Sequence, residues 1–447
     1  MKKNITFISK AILTFSAIVY SGCSLDVVNP NNPTDGEVLK SRDGLITLSV
    51  GMRQIYSTSA LGALILTPGT TARELRGITT FTNIIEIDNG GTLLPNFNGN
   101  ILAIWSRSLR VMSIADDIVL NAPNILGTDP AMLSGVLSHA KLLKAMCIGG
   151  IAQSFTHTAI KLDKGGQASF VTREAGLDEA IKLLKEAEQS LVATTPSSEF
   201  NTKVTGVEFN LLNSVRAYLA RYSLMKGDYV GAIAAAKSVN LSIASSFIFN
   251  VLSPNPIFNA IQVSKDYAPR DAFGLPASLI EAGDGRVGFY LISTPTTFPT
   301  TGGDPIDGLK GFATTNSSPI PVYLPDEMRL IIAEGIVRSG GTLSEAVTEI
   351  NAVRTQSTGD PFLVHAGLPA YSGTIDTPSL LTEIFKQRCS ELYLSGLRLE
   401  DSRRFGRTAP PTNVNPIPLT FERSRDFYPF PQQERQINLN TPADPAI

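Results

Sequence analysis

The sequence predicts a mostly α-helical fold, built as a scaffold of paired helices with loop-rich insertions and few short strands. Two observations predict it. Apolar residues recur at helical spacing over most of the 447 residues, and Pro, Gly, Thr and Ser accumulate between residues 241 and 320. We therefore predict a single domain over residues 41–447, with a helical N-terminal part at 41–240, a loop-rich insertion at 241–320 and a C-terminal part at 321–447.

Helical periodicity begins at residue 42 and returns along the chain. In residues 175–192, for example, Leu177, Ala180 and Leu184 lie three or four positions apart, which places their side chains on one face. Residues 61–99 are rich in Gly, Thr and Asn and are predicted as loops. The predicted helices cover residues 42–60, a long segment from 101, 131–154, 175–192, 208–226, 229–239, 325–338, 343–355 and 377–397.

Two of these segments are helix–Gly–helix pairs. Gly227 lies between the helices of the first pair, where it favours the left-handed end of a helix, and the small Ala232 permits close approach of the second helix. In the second pair Gly340 or Gly341 ends one helix and Ser344 can cap the next. Both pairs resemble tetratricopeptide repeats, although no strict repeat period runs through the chain. The scaffold is thus predicted to be tetratricopeptide-like.

The loop-rich insertion contains two short apolar runs, at residues 247–251 and 287–292, that are predicted as brief strands. Long loops on a rigid scaffold often carry binding sites, and the alternative for each loop is a simple connection between helices. The only tryptophan, Trp105, lies on the predicted helix from residue 101. It is either a core residue or a platform for sugar stacking.

Charge and motifs exclude several function classes. The net charge of −2 and the lack of a basic stripe argue against nucleic acid as a partner. The three histidines are scattered, and neither zinc-ligand spacing, a nucleophile elbow nor a phosphate-binding glycine loop occurs. We therefore predict no enzyme activity, cofactor or metal. Asp304 with Asp307, and Glu86 with Asp88, could ligate calcium loosely, but turn-forming Asp is the more economical interpretation.

The N-terminus predicts export and anchoring. Lys2 and Lys3 precede a ten-residue apolar run at 11–20, which is too short to span a bilayer, and Ser-Gly-Cys23 follows. We predict a lipoprotein signal peptide at 1–22, lipidation of Cys23 and a tether at 23–40. The alternative is an ordinary secretory signal with a chance Cys. Cys147 and Cys389 are predicted to be buried, and the sequence does not show whether they pair.

The most specific pattern lies at residues 381–440. Arg388-Cys-Ser-Glu391-Leu-Tyr-Leu-Ser-Gly396-Leu-Arg398-Leu-Glu-Asp401 is followed by Tyr-Pro-Phe-Pro-Gln-Gln-Glu434 and then by Asn-Leu-Asn. This segment resembles the C-terminal signature of the SusD/RagB family of outer-membrane nutrient-binding lipoproteins. Ser395 and Leu397 depart from it, since the family usually has Glu and His there.

The charged residues of the signature suggest a structural role. Arg388 and Glu391 are three positions apart, as are Arg398 and Asp401, so that each pair can meet on one helix face. We predict that all four act as internal clamps. The alternative is a site for an anionic ligand.

The resemblance implies a surface-exposed lipoprotein of a Gram-negative outer membrane that captures an oligosaccharide, or alternatively a peptide, for a SusC-like TonB-dependent transporter. It also implies that Trp105 is a core residue, because residues 104–120 resemble a structural helix of the family. Ligand contacts are implied to come from loops near 68–99 and 265–300. The candidate residues in those loops are Arg73, Glu74, Arg76, Phe81, Asn83, Phe97, Tyr267, Phe273, Tyr290 and Phe298. A protein-binding adaptor without a small ligand and a secreted hydrolase are the rival interpretations.

Overall fold

The computed structural model describes residues 38–163, 165–297 and 305–446. The predicted signal peptide, Cys23, most of the tether, Phe298 and Asp304 lie outside the described residues.

The described chain is predominantly helical. The N-terminal half contains α1 (Arg42–Ile55), α2 (Leu61–Thr71), α3 (Thr82–Asn89), α4 (Gly99–Leu126), α5 (Pro130–Ser154), α6 (Arg173–Ala193), α7 (Ser198–Phe200), α8 (Leu211–Lys226) and α9 (Tyr229–Lys237). The C-terminal half contains α10 (Pro256–Phe258), α11 (Gly285–Tyr290), α12 (Pro325–Arg338), α13 (Leu343–Arg354), α14 (Thr377–Glu391), α15 (Arg398–Arg404) and α16 (Gln432–Ile437).

Paired helices form the scaffold, which confirms the predicted fold class. Helix α5 packs against α4 and α6, α8 against α6 and α9, and α12 against α9, α13 and α14. Gly227 ends α8 with φ 86°, in the left-handed region, and the Asp228 side chain caps α9. Capping by Ser344 was wrong, because Thr342 occupies the cap position and Ser344 lies inside the first turn of α13.

The strands are short and paired in twos. Antiparallel pairs join β1 (Leu75–Gly77) to β5 (Tyr267–Pro269), β2 (His157–Thr158) to β3 (Val171–Thr172), β4 (Ser246–Phe247) to β8 (Ile320–Pro321), and β6 (Leu291–Thr297) to β7 (Pro305–Leu309). In the β1–β5 pair Arg76 lies opposite Ala268, so the insertion is fixed to the N-terminal part.

Three predictions of local structure were wrong. Residues 61–99 contain helices α2 and α3 rather than loops only, because α2 is buried on nearly all sides and therefore shows no amphipathic period. Residues 287–290 belong to α11, and the strand begins only at Leu291. The predicted helix 377–397 ends at Glu391, and Gly396, at φ 81°, lies in the turn that leads into α15.

The core contains an aromatic cluster around Trp105, which is 1% exposed. Its indole stacks on Phe170, packs edge-on against Phe155 and Phe430, and donates a hydrogen bond from Nε1 to Glu434 at 3.0 Å. The prediction of a core role is confirmed. Cys147 and Cys389 are buried free thiols, and burial raises the pKa of each.

Helix α5 is the one helix of the described chain that is long and apolar enough to cross a membrane by length and composition. Most of its apolar stretch, 78%, is buried inside the fold. It is therefore explained as a core helix between α4 and α6.

The four signature residues are all buried, but the predicted pairing between them was wrong. Arg388 binds Asp401 through two bonds of 2.8 and 3.1 Å, and Asp401 also lies 2.8 Å from Arg404. Glu391 accepts a bond of 3.2 Å from Arg286, which lies in α11. Because the chain turns back between α14 and α15, Arg388 reaches a carboxylate in the next helix instead of one in its own.

Arg398, the fourth of these residues, donates to the carbonyl of Cys389 at 3.0 Å and lies 3.9 Å from Glu74. The clamps therefore connect α14 to other segments of the chain rather than stabilising single helices.

The last residues of the chain bind the N-terminal helices. The Ser424 amide donates to the Thr71 carbonyl at 2.8 Å, and the hydroxyl groups of Tyr428 and Thr71 are 2.8 Å apart. The Arg425 guanidinium donates to the Gly91 carbonyl at 2.6 Å. The end of α2 and the turn after α3 are thus completed by the C-terminal segment.

Candidate functional site

A broad polar cleft of about 750 Å³ opens between the first helices and the loop-rich insertion. Its walls come from the ends of α1 and α2, from the first turns of α4, and from the segment around α10 and β5. The cleft is lined by Gln54, Thr58, Ser59, Gly62, Ala63, Leu66, Thr67, Asn83, Gly99, Asn100, Ala103, Arg107, Leu252, Ser253, Pro254, Pro256, Asn259 and Tyr267.

Neutral amides and hydroxyls dominate this lining, and Arg107 is the only charged residue among them. Amide groups both donate and accept hydrogen bonds, as do the hydroxyls of Ser, Thr and Tyr. A surface of this kind matches a ligand with many hydroxyl groups. Carboxylate, histidine and thiol side chains, the usual groups of acid–base catalysis, are not among these lining residues.

One wall of the cleft contains a π-helical turn, Tyr56–Ala60, which joins α1 to α2 so that the two run on as one continuous helical segment. The Leu61 amide bonds to the Tyr56 carbonyl, five residues back. Such turns widen a helix locally and are frequent at functional sites. Here the turn contributes Thr58 and Ser59 to the cleft, and a second π-helical turn, Asn259–Val263, contributes Asn259.

The second wall is one face of α4, where Asn100, Ala103 and Arg107 follow helical spacing. The Asn98 side chain caps this helix and donates to the Asn83 carbonyl at 2.8 Å. Asn100 donates to the same carbonyl at 3.2 Å. These bonds hold α3 and α4 together at the edge of the cleft.

The third wall carries an apolar side chain, Leu252, which is 95% exposed. It sits in a turn in which Asn250 Oδ1 accepts hydrogen bonds from the amides of Leu252 (2.9 Å) and Ser253 (3.0 Å). Gln54 donates to Ser253 Oγ at 2.7 Å, which ties the turn to α1. Leu252 is therefore exposed on a turn that these hydrogen bonds hold in place.

The structure brings only some of the predicted ligand residues to this cleft. Asn83 and Tyr267 line it, Tyr267 with only 6% of its surface exposed. Phe81 and Phe97 are 58% and 67% exposed, and each lies two positions before a lining residue, Asn83 or Gly99. Exposed aromatic rings at these places are available to a ligand.

The other predicted ligand residues among those described are buried and have internal roles. Arg73 donates to the carbonyls of Asp88 and Ile417 at 2.6 and 2.9 Å, and Tyr290 donates to the Glu391 carbonyl at 2.9 Å. Glu74, Arg76 and Phe273 are at most 7% exposed. These five side chains are buried and do not line the cleft, so the structure does not place them at the candidate site.

Sequence reasoning missed most of the residues that line the cleft, including Gln54, Thr58, Ser59, Asn100, Arg107, Leu252 and Asn259. One signal was present on α4, where small and polar residues replace apolar ones along a single helical face. The other walls lie far apart in sequence and meet only in the fold.

Glu74 gives a prediction about pH. Burial, partly offset by Arg398 and by the hydrogen bond from the Leu394 amide, raises its pKa from the ordinary 4.5 to about 7. The folded protein therefore disfavours ionised Glu74, so its contribution to stability is fullest below pH 4.5 and is lost as the pH rises to 7. Glu74→Gln is expected to abolish this loss, which amounts to about 3 kcal/mol at most.

Urea unfolding at pH 4.5 and pH 7.5 checks this expectation. The stability of Glu74→Gln relative to the unmodified protein should rise with pH, while Glu345→Gln, at an exposed position on α13, serves as the control. If the free energy of unfolding changed equally with pH in Glu74→Gln and in the unmodified protein, the role assigned to Glu74 would be contradicted.

Comparison with known proteins identifies the fold. No protein-family model matches the chain, and no curated protein matches its sequence. Among solved structures, a SusD superfamily protein of Bacteroides thetaiotaomicron is similar with a TM-score of 0.69 at 15% identity, over 91% of this chain and 100% of that one. A SusD homolog of the same species gives a TM-score of 0.68 at 13% identity, over 93% and 99% of the two chains.

A SusD-like carbohydrate-binding protein of Bacteroides fragilis is similar with a TM-score of 0.67 at 13% identity, over 90% of this chain and 99% of that one. The similarity in all three cases extends over nearly the whole of both chains. The resemblance to the SusD/RagB family and the predicted scaffold of paired helices are therefore confirmed at the level of the fold.

Proposed function

We propose that this chain, which has the SusD fold, is a glycan-binding protein of the cell surface that captures an oligosaccharide in the polar cleft without breaking its bonds. The observation that carries the proposal is the cleft lining: neutral amides and hydroxyls around a cavity of about 750 Å³. That volume falls within the range of pockets that enclose small-molecule ligands.

The lining matches the two faces of a sugar ring. Hydroxyl groups at the ring edge can exchange hydrogen bonds with Gln54, Asn83, Asn100 and Asn259. The apolar ring face can pack on Leu252, whose exposure would otherwise carry a cost in water. The similar protein of B. fragilis is described as carbohydrate-binding, which supports a glycan as the ligand here as well.

Filling the cleft is expected to abolish binding. Ala103 lines the cleft from α4, and Ala103→Trp would project an indole into the space that the ligand needs. Calorimetry with hits from glycan and peptide libraries, first screened by thermal shift, should show at least a tenfold loss of affinity, or about 1.4 kcal/mol.

The matched control is Ser106→Trp, an exposed position on the same helix that does not line the cleft. It should bind as the unmodified protein does, and thermal unfolding verifies that both variants fold. Hits among peptides alone would replace the glycan by a peptide ligand, and binding that survives Ala103→Trp would remove the cleft from the proposal. Turnover of any hit would overturn the non-enzymatic role.

The proposal includes lipid anchoring at Cys23 and delivery of the glycan to a SusC-like TonB-dependent transporter in an outer membrane. Cys23→Ala is expected to move the protein from the membrane fraction to the soluble fraction, because the short apolar run at 11–20 cannot replace a lipid anchor. Affinity purification of the unmodified protein from membranes should recover a large barrel protein. Unchanged fractionation of Cys23→Ala would count against lipid anchoring. Purification without a barrel protein would count against delivery to the transporter.

A further inference from the structure

The electrostatics of the polar cleft restrict its ligand further. Its 18 lining residues include one arginine and no Asp or Glu. A positive charge in a concave site raises the local concentration of anions, and no carboxylate in this lining neutralises it. The charge of Arg107 is therefore available to the contents of the cleft.

Arg107 is held in place without being neutralised. Its side chain is exposed, and Nη1 donates to the Ser59 carbonyl at 3.1 Å, which leaves Nε and Nη2 for a ligand. Within the described ranges no carboxylate forms an ion pair with it, whereas most arginines of the fold pair with carboxylates. The Ser59 carbonyl belongs to the π-helical turn, so this turn both shapes the wall and orients the guanidinium.

Its neighbours add to the positive charge. Arg110 follows one turn later on the same helix and is also exposed, although it does not line the cleft. The carboxylates of α4, Asp116 and Asp117, lie more than two turns away from Arg107 along the helix. The nearest carboxylate at the other end of this wall is Glu86, which accepts a hydrogen bond of 2.8 Å from Asn98 at the start of α4, more than two turns before Arg107. The charged groups of α4 nearest to the middle of the cleft wall are thus both arginines, although the protein as a whole has a net charge of −2.

We infer that the cleft selects an acidic oligosaccharide and that Arg107 binds its carboxylate or sulfate group. The planar guanidinium matches a carboxylate or a sulfate through two parallel hydrogen bonds, while the amides and hydroxyls around it bind the neutral hydroxyls of the same chain. This inference rests on the proposed glycan-binding function and names the chemical class of the glycan.

The test compares pairs of ligands with the same sugar backbone and different numbers of anionic groups. Oligogalacturonate is measured against its methyl-esterified form, and chondroitin sulfate oligosaccharide against its desulfated form, by calorimetry on the full mature chain. We expect the more highly charged member of at least one pair to bind about ten- to a hundredfold more tightly, as a charge-assisted hydrogen bond contributes. The pair that shows the preference identifies the anionic group.

Three variants assign the preference to Arg107. Arg107→Gln should reduce the affinity of the more highly charged member to that of the less charged member of its pair and weaken the dependence of binding on salt. Arg107→Lys keeps the charge without the planar fork and should retain part of the preference. Arg110→Gln, outside the lining, should change it less than threefold.

The inference is overturned if both members of every pair bind equally, or if Arg107→Gln preserves the preference. In either case glycan binding that is lost in Ala103→Trp would leave the proposed function standing. If no glycan of any pair binds, the inference fails, whereas the proposed function fails only if the glycan library also gives no ligand.

Discussion

Asp401→Ala is expected to lower the free energy of unfolding by about 3–5 kcal/mol, as the loss of one partner from a buried ion pair does. Arg388 and Asp401 are 1% and 2% exposed and share two hydrogen bonds. Without Asp401, the Arg388 guanidinium stays buried and loses both. Arg404 would still be held by Glu334, at 2.8 and 2.9 Å, so the cost arises chiefly at Arg388.

The same ion pair gives a pH dependence. Burial alone would raise the pKa of Asp401, but the charges of Arg388 and Arg404 outweigh it and hold this pKa below its ordinary value of 3.8. Because the folded-state pKa is lowered, the contribution of Asp401 is present above pH 3.8 and is lost as the pH falls below that value. The difference between the variant and the unmodified protein should therefore narrow in acid.

Urea unfolding at pH 7 measures the effect. Asp178→Ala is the control, since Asp178 is 60% exposed in its ion pair with Lys226 and should cost about 1 kcal/mol or less. Asp401→Asn retains the shape and removes the charge, and should fall between the native protein and the alanine variant. Equal losses for Asp401→Ala and Asp178→Ala would contradict the role assigned to the buried pair.

Gly149→Ala is expected to destabilise the protein by about 3 kcal/mol or more, although alanine is the better helix former by about 1 kcal/mol. Gly149 lies in α5, where an added Cβ would come within 2.0 Å of Cζ and 2.3 Å of the hydroxyl oxygen of Tyr222 in α8. Tyr222 is 1% exposed and donates to the Met146 carbonyl at 3.2 Å. Relief of the clash requires its ring to move and this buried hydrogen bond to break, or α5 and α8 to separate.

Gly51→Ala is the matched control, because a Cβ on that helical glycine of α1 meets no atom within 4 Å. It should stabilise the protein by up to about 1 kcal/mol. A double-mutant cycle with Tyr222→Leu tests the mechanism, since the two changes together should cost less than their sum. Purely additive costs would show that the clash with Tyr222 is not the cause.

Local signals were sufficient to predict the scaffold. Gly227 at the end of α8 and the helical spacing around Trp105 depend on neighbours within a few turns, and both predictions were confirmed. Helix α2 was missed because its residues are buried nearly all round and no amphipathic period marks it. An amphipathic period arises only when one face of a helix is buried and the other is exposed to solvent. A helix that is buried on all sides therefore lacks this period in its sequence.

The candidate site could be predicted only in small part. Residue type and loop position selected Arg73 and Glu74, but the partners that bury them, Ile417 and Leu394, are more than 300 positions away in sequence. The cleft itself combines α1, α4 and the turn at Leu252, which no local pattern connects. Asn83 and Tyr267 were predicted because they lie in the regions of the family's binding loops. Both also line the cleft.

The C-terminal segment can make its contacts with the first helices only late in synthesis. The Thr71 carbonyl at the end of α2 is bonded by the Ser424 amide, so the first helices of the chain are completed by residues that the ribosome adds last. The bond from Arg425 to the Gly91 carbonyl likewise joins an early residue to a late one. Since α2 is also a wall of the cleft, this wall gains its last hydrogen bonds only when the C-terminal residues have been synthesised.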